Sequence, residues 1–590
     1  MKARYFVLSI IPSLLLSSCT SLFGTRTVEK EIAVYDLDRI QKDANQSMSK
    51  GYLTSLKARF VENQQYIPYI SLKQYASLYD SHLGEGFESE VTSSTFSSTW
   101  TISKGDEPYF VCAFDYLNRE ILVAGNISNA FSEDDETRDL RALEYGLETT
   151  YDNRILSSKS YSTYKYGNYN FTNFKSGNNR YFPLALYDIT LSENSGIYFN
   201  YNYKYICSTR DVDNYSTFLY TDDDDVEYTF DSQMISQKQD EVIPSYLAKF
   251  NANMFLYMMD HCYGLKANKG IKTAASYYKN KDFYNALYSE DPETRTWAYS
   301  DALSVLDDNH TILASVNKTW GASYGPARRY GSGCKARRDL GIELQGYRSD
   351  SYLAMNATAG NDVVYSADGK TALFSFDSFL FGTSAQVFND DGTIKSDAKD
   401  HDTFLKIVDV LQSIKDRGNV ENVIFDISIN GGGVIGVMMK LLALISKDNQ
   451  GYLALYEDTS TQLTIAYPQV DINGDGEYTT ADCFGNDFNF YLLTSDYSFS
   501  CGNAFPCIAQ AKGYAKIIGQ KSGGGECAVA IHYLPNSEYV YHSSNLHLGY
   551  YEEATNTFTG FENGAIPDIE IQLGNRSYMV DNLNSAISNA

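Results

Sequence analysis

Val423-Ile424-Phe425-Asp426-Ile427-Ser428-Ile429-Asn430-Gly431-Gly432-Gly433 sets an apolar, β-branched run directly against three glycines. Such a run reads as a buried strand, and the glycines read as a turn with bare backbone amides. The stretch 434–445 that follows has helical spacing, so the amides of Gly431 and Gly432 lie near a helix N-terminus. An anion or a tetrahedral oxyanion is held well there.

Working outward, 371–376, 488–493 and 515–518 have strand composition, while 404–417 and 502–512 have helical spacing. Strands alternating with helices predict α/β architecture. Upstream, from about residue 243, the pattern is helical through Leu247, Phe250, Met254 and Met258, and again across Trp297, Ala302, Leu303 and Leu306. That segment leads into Asp307-Asp308-Asn309-His310-Thr311. Residues 36–242 are rich in alternating aromatic and polar positions, as in Tyr201-Asn202-Tyr203-Lys204-Tyr205, and predict a β-rich accessory domain. The acidic cluster at 222–225 is expected to be a solvated loop.

A chain of 590 residues is expected to divide into two or three domains. Its 48 basic and 74 acidic residues give a formal charge of −26, which repels phosphate backbones and excludes nucleic acid as a partner. Met1-Lys2-Ala3-Arg4, an apolar stretch at 6–16 and Leu16-Ser17-Ser18-Cys19 resemble a bacterial lipoprotein signal with its lipobox. On that reading Cys19 is the lipidated first residue of an exported protein held on a membrane, periplasmic or cell-surface, with 20–35 as a tether. The other eight cysteines fit no zinc spacing, and buried thiols and disulfides are equally open.

Ser500, in Phe499-Ser500-Cys501-Gly502-Asn503, falls where a strand and loop give way to a helix. A lone Ser there reads as a helix cap, yet a helix N-terminus also favours a nascent alkoxide. The order of several motifs decides between the two. Asp308-Asn309-His310-Thr311, Asp426 through Gly433, Ser498 through Ala504, Gly519 through Gly524, and Glu562-Asn563-Gly564-Ala565-Ile566-Pro567-Asp568 together resemble peptidase family S41, over roughly 245–575. This group includes C-terminal processing and tricorn-like proteases.

The resemblance implies a ClpP/crotonase-like α/β catalytic domain at 331–590, with a helical segment carrying His310 at 243–330. It also implies a serine peptidase acting on peptides or proteins, with no cofactor for catalysis. The family's lysine position falls on Gly525, so the resemblance points to the tricorn-like set: Ser500 as nucleophile, His310 as base and Glu562 as its partner. Amides of Gly431 or Gly432 and of Cys501 would receive the oxyanion. Asn309, Ser428 and Asn503 depart from the family pattern, and Asn309 is a second candidate to orient His310. The alternative is a catalytically inactive ligand-binding lipoprotein. The basic stretch around Arg328, Arg329, Arg337 and Arg338 reads as a loop able to line the cleft.

Asp471, Asn473, Asp475 and Asp482 occupy positions 1, 3, 5 and 12 of a loop with Gly476 at position 6. Together with Glu477, they match a calcium loop of the dockerin variety, expected to rigidify the approach to Ser500.

Overall fold

The structure is a computed structural model that describes residues 25–42, 48–131, 141–156, 161–201, 203–210, 219–221, 227–229, 241–315, 329–535 and 539–590. Cys19, the acidic cluster at 222–225 and Arg328 lie outside the described residues.

At the centre of the C-terminal half is a six-stranded sheet in the order Val364–Tyr365, Thr371–Ser375, Asn422–Asp426, Asn489–Thr494, Ala515–Gly519, Ile569–Glu570. Every pairing is parallel except the first. Alternation along each strand explains why they read as continuous apolar runs. Val423, Phe425 and Leu492 pack with the helices Thr403–Arg417, Ile435–Leu444 and Cys501–Ala511 on one face. Ile424, Leu493 and Ile518 pack against Leu344 and Tyr352 of the helix Ser332–Ala354, and against Tyr578 and Leu583, on the other. The loops carrying the glycines and Ser500 leave the carboxyl ends of adjacent parallel strands, where open α/β sheets place their sites.

The basic stretch expected as a loop is helical from Ser332 onward, so Arg337 and Arg338 project from the first turns of Ser332–Ala354. Gly331 and Gly333 conceal this start locally. Its cap comes from a distance, because the Asp307 carboxylate accepts the Gly333 and Cys334 amides at 2.8 Å each.

The β-rich half holds a seven-stranded sheet and a five-stranded sheet. Its tyrosines fill the interior: Tyr75 stacks on Tyr187 with centroids 4.9 Å apart, and the Tyr75 and Tyr79 hydroxyls meet at 3.1 Å. Helices Ser245–His261 and Pro292–Ser304 share that core. The strand Leu147–Ile155 leaves it, pairing antiparallel along its length with Gln462–Val470. The span 36–242 is therefore interleaved with the catalytic half through this strand. Among the described residues no helix is long and apolar enough to cross a membrane.

Candidate active site

Ser500 sits on a strained elbow with φ 57° and ψ −126°, immediately before the helix Cys501–Ala511. A non-glycine residue in this region costs about 1–3 kcal/mol, so its surroundings must hold it there. They do so through two flanking turns. Ser498 Oγ donates to Ile427 O at 2.8 Å, and Phe499 N donates to Asn430 O at 3.1 Å, tying the elbow to the first glycine turn. Ser500 N donates to Gly524 O at 3.0 Å, and Gly523 N to Ser498 O at 2.8 Å, tying it to the second. A Cβ on Gly432, where φ is +112°, would lie 2.7 Å from Ser500 Cβ. Only glycine admits this approach.

His310 is buried, and its backbone N–H donates to Asp308 Oδ1 at 3.0 Å. Asp308 Oδ2 accepts from Thr311 Oγ1 at 2.6 Å and from Ser543 Oγ at 2.8 Å, which shapes the loop. Burial pushes the imidazole below its ordinary pKa, with the Asp308 carboxylate pulling the other way. Nδ1 is buried without a hydrogen-bond partner. The ring packs on Phe499 with centroids 4.7 Å apart and borders a cavity of about 440 Å³ shared with Asn309, Arg337, Arg338, Gly431 and Tyr497. No hydrogen bond joins Ser500 Oγ to His310 among the described residues.

The expected partners of His310 lie elsewhere. Glu562 Oε2 accepts the Gly525 and Glu526 amides at 3.1 Å each, so the carboxylate braces the second turn. Asn309 borders the cavity but makes no hydrogen bond to His310. The expected oxyanion donors also need correction. Gly432 N–H is taken by Asn430 Oδ1 at 2.9 Å and Gly431 N–H by Asp377 O at 3.3 Å, so both glycine amides are committed. Phe379 bonds Gly432 O and Val434 N on either side of Gly433 and leaves Gly433 directed the other way, where its carbonyl meets Cys501 Sγ at 3.2 Å. Gly433 and Cys501, the first residue of its helix, keep amides without an acceptor among the described residues.

The departures from the family pattern have local explanations. Asn503 Nδ2 donates to Phe561 O at 2.9 Å, and its Oδ1 accepts from Ser522 Oγ at 2.7 Å, fastening the Ser500 helix to two turns. Ser428 Oγ donates to Asp426 Oδ1 at 2.7 Å. A guanidinium still reaches Asp426, because Arg348 stands 3.8 Å away while clamping Asp377 at 2.6 and 2.7 Å. The sequence reading missed Arg348. Its signal was a lone arginine on the buried stripe Leu344, Arg348, Ser351 and Tyr352.

Residues 392–571 match the model of Peptidase family S41. These residues form a family S41 peptidase domain. This match supports a serine-type peptidase. Among solved structures, a peptidase from Parabacteroides merdae is 18% identical, covering 58% of this chain and 96% of that one at a TM-score of 0.39. Mature CPAF complexed with lactacystin is 13% identical, covering 58% and 97% at 0.35, and the tricorn protease is 11% identical, covering 85% and 46% at 0.32. No curated protein matches the chain.

Within the S41 domain, the glycine at 525 follows from packing. A Cβ there would lie 2.5 Å from the Phe499 ring, so this aromatic fills the space a lysine would need. Lys521 is exposed. The S41 domain also carries the loop at 471–482. Asp471 accepts the Gly474 and Gly476 amides at 2.7 and 2.9 Å, and Asp482 Oδ1 accepts from Ile472 N at 3.2 Å and Asn473 Nδ2 at 3.1 Å. Positions 1, 3 and 12 are thereby drawn into one loop, while Asp475 and Glu477 are exposed. An all-oxygen donor set of this kind suits a hard cation.

Proposed function

We propose that the protein is a membrane-anchored serine endopeptidase or carboxy-terminal peptidase in which Ser500 attacks the peptide carbonyl and His310 is the general base. The observation that carries the reading is the strained Ser500 elbow, held at a helix N-terminus between two glycine turns. Neutral His310 takes the Ser500 proton as the acyl-enzyme forms and returns it to the leaving amine. The Gly433 and Cys501 amides receive the oxyanion. Glu562 acts through the turn at 524–526, and formation of the Ser500–His310 hydrogen bond accompanies substrate entry into the cavity beside Phe499. A fluorophosphonate probe should label the wild-type chain and fail on Ser500→Ala. Folded wild-type protein that takes no label would favour the inactive binding lipoprotein, a reading supported by the unpartnered Nδ1 of His310.

Two further features belong to this reading. Lipidation at Cys19 anchors the exported chain to the cell envelope, supported by the basic, apolar and lipobox segments in sequence; Cys19→Ser should move the protein from membrane to soluble fractions. Calcium bound by Asp471, Asn473, Asp475 and Asp482, with Glu477 at position 7, rigidifies the segment before the strand Asn489–Thr494. Calcium should raise the melting temperature and chelation lower it, and an unchanged melt would remove calcium from the account.

A further inference from the structure

Away from the cleft, four donor side chains from separate stretches converge in the interior. Glu193 lies on the helix Leu184–Ser195, Cys262 follows the helix Ser245–His261, and His532 and His542 come from the paired strands Cys527–Tyr533 and Tyr539–Glu552. The register sets His532 opposite Val540 and His542 opposite Ala530, making the two imidazoles diagonal neighbours on one face. Cys262 is 2% exposed and both histidines 0%.

Their hydrogen bonds fix their tautomers. His532 Nε2 donates to Ile189 O and His542 Nδ1 to Ser543 O, each at 3.0 Å. A carbonyl only accepts, and a neutral imidazole has one N–H, so His532 Nδ1 and His542 Nε2 both carry lone pairs. These lone pairs face each other at 2.7 Å. Glu193 Oε1 lies 3.7 and 3.6 Å from the same nitrogens, is buried and has no hydrogen-bond partner. Cys262 Sγ lies within 4.8 Å of the Glu193 and His532 donor atoms, and His542 adjoins that trio through His532 and Glu193. Lone pairs and a carboxylate oxygen gathered in an interior are unfavourable unless a positive charge stands among them. A proton shared between the two imidazoles would still leave Glu193 Oε1, at 3.7 and 3.6 Å, beyond hydrogen-bond reach of either.

We propose that Glu193, Cys262, His532 and His542 form a structural zinc site. Two imidazoles, one thiolate and one carboxylate make a closed four-ligand set of the type zinc takes, and hard cations avoid the sulfur. Each histidine donates its far N–H to a backbone carbonyl, the outer-shell arrangement that orients metal ligands. Zinc bonds of about 2.0–2.3 Å in a tetrahedron separate ligands by roughly 3.3–3.7 Å, which the carboxylate–imidazole spacings meet and the two imidazoles reach by parting slightly. Binding releases the Cys262 thiol proton and the Glu193 carboxyl proton. The site clamps the β-rich half to the strand beneath the catalytic base, because Ser543, next to His542, holds Asp308 of the His310 loop.

The test is the zinc content of the full-length chain after exhaustive dialysis against metal-free buffer, with cobalt(II) reconstitution as a spectroscopic probe. The wild type should retain about one zinc per chain and, with cobalt, show a thiolate charge-transfer band. Cys262→Ser and His532→Gln should reduce retention at least tenfold, and Cys262→Ser should abolish the band. Should those buried variants fail to fold, Glu193→Gln keeps shape and should still weaken retention at least tenfold. Asp471→Asn, in the separate calcium loop, should leave zinc unchanged. Folded wild type that retains no zinc and gives no thiolate–cobalt band, or equal zinc in wild type and all variants, overturns the proposal.

Discussion

Ser500 and His310, the proposed nucleophile and base, are held by different kinds of structure. Ser500 is fixed from both sides by main-chain hydrogen bonds to turns at the ends of neighbouring parallel strands. His310 is fixed at its backbone by Asp308, while its ring rests on Phe499 and its Nδ1 makes no hydrogen bond. The difference teaches that strain is carried where the backbone is over-determined, while the His310 ring is held by packing alone.

This contrast can be sharpened by substitution. His310→Gln should lower acylation by about 10²–10⁴-fold, measured as the rate of fluorophosphonate labelling, while the melting temperature stays close to wild type. A loss below tenfold would mean that the base is another group. Glu562→Ala should have a smaller effect on rate. It leaves the Gly525 and Glu526 amides without their acceptor and should lower stability by about 1–3 kcal/mol, read by denaturant melts. Its acid limb of activity should stay where it is in the wild type. A moved limb would show that Glu562 acts on His310 directly, and would break the distinction between the braced turn and the free base.

The nucleophile side was also the more legible in sequence. The strand Asn489–Thr494 and the helix Cys501–Ala511 lie within one residue of their expected limits, because both faces of this sheet are covered and its turns are marked by glycine. The base side depends on contacts between distant segments. Nothing local announces that Leu147–Ile155 pairs with Gln462–Val470, or that Asp307 caps the helix carrying Arg337. The proposal of Gly433 over Gly431 and Gly432 as an oxyanion donor likewise rests on which amides Asp377 and Asn430 already hold. A run of three glycines hides that distinction.

The central claim is that buried, neutral His310 activates Ser500. Its most direct test is the pH dependence of the second-order rate of Ser500 acylation in wild type and in His310→Gln. Because burial lowers the His310 pKa, the base stays deprotonated below the ordinary histidine value of about 6.5, and wild-type acylation should fall only at lower pH. That acid limb should vanish in His310→Gln along with most of the rate. An unchanged limb in the variant, or label that persists on Ser500→Ala, would contradict the account.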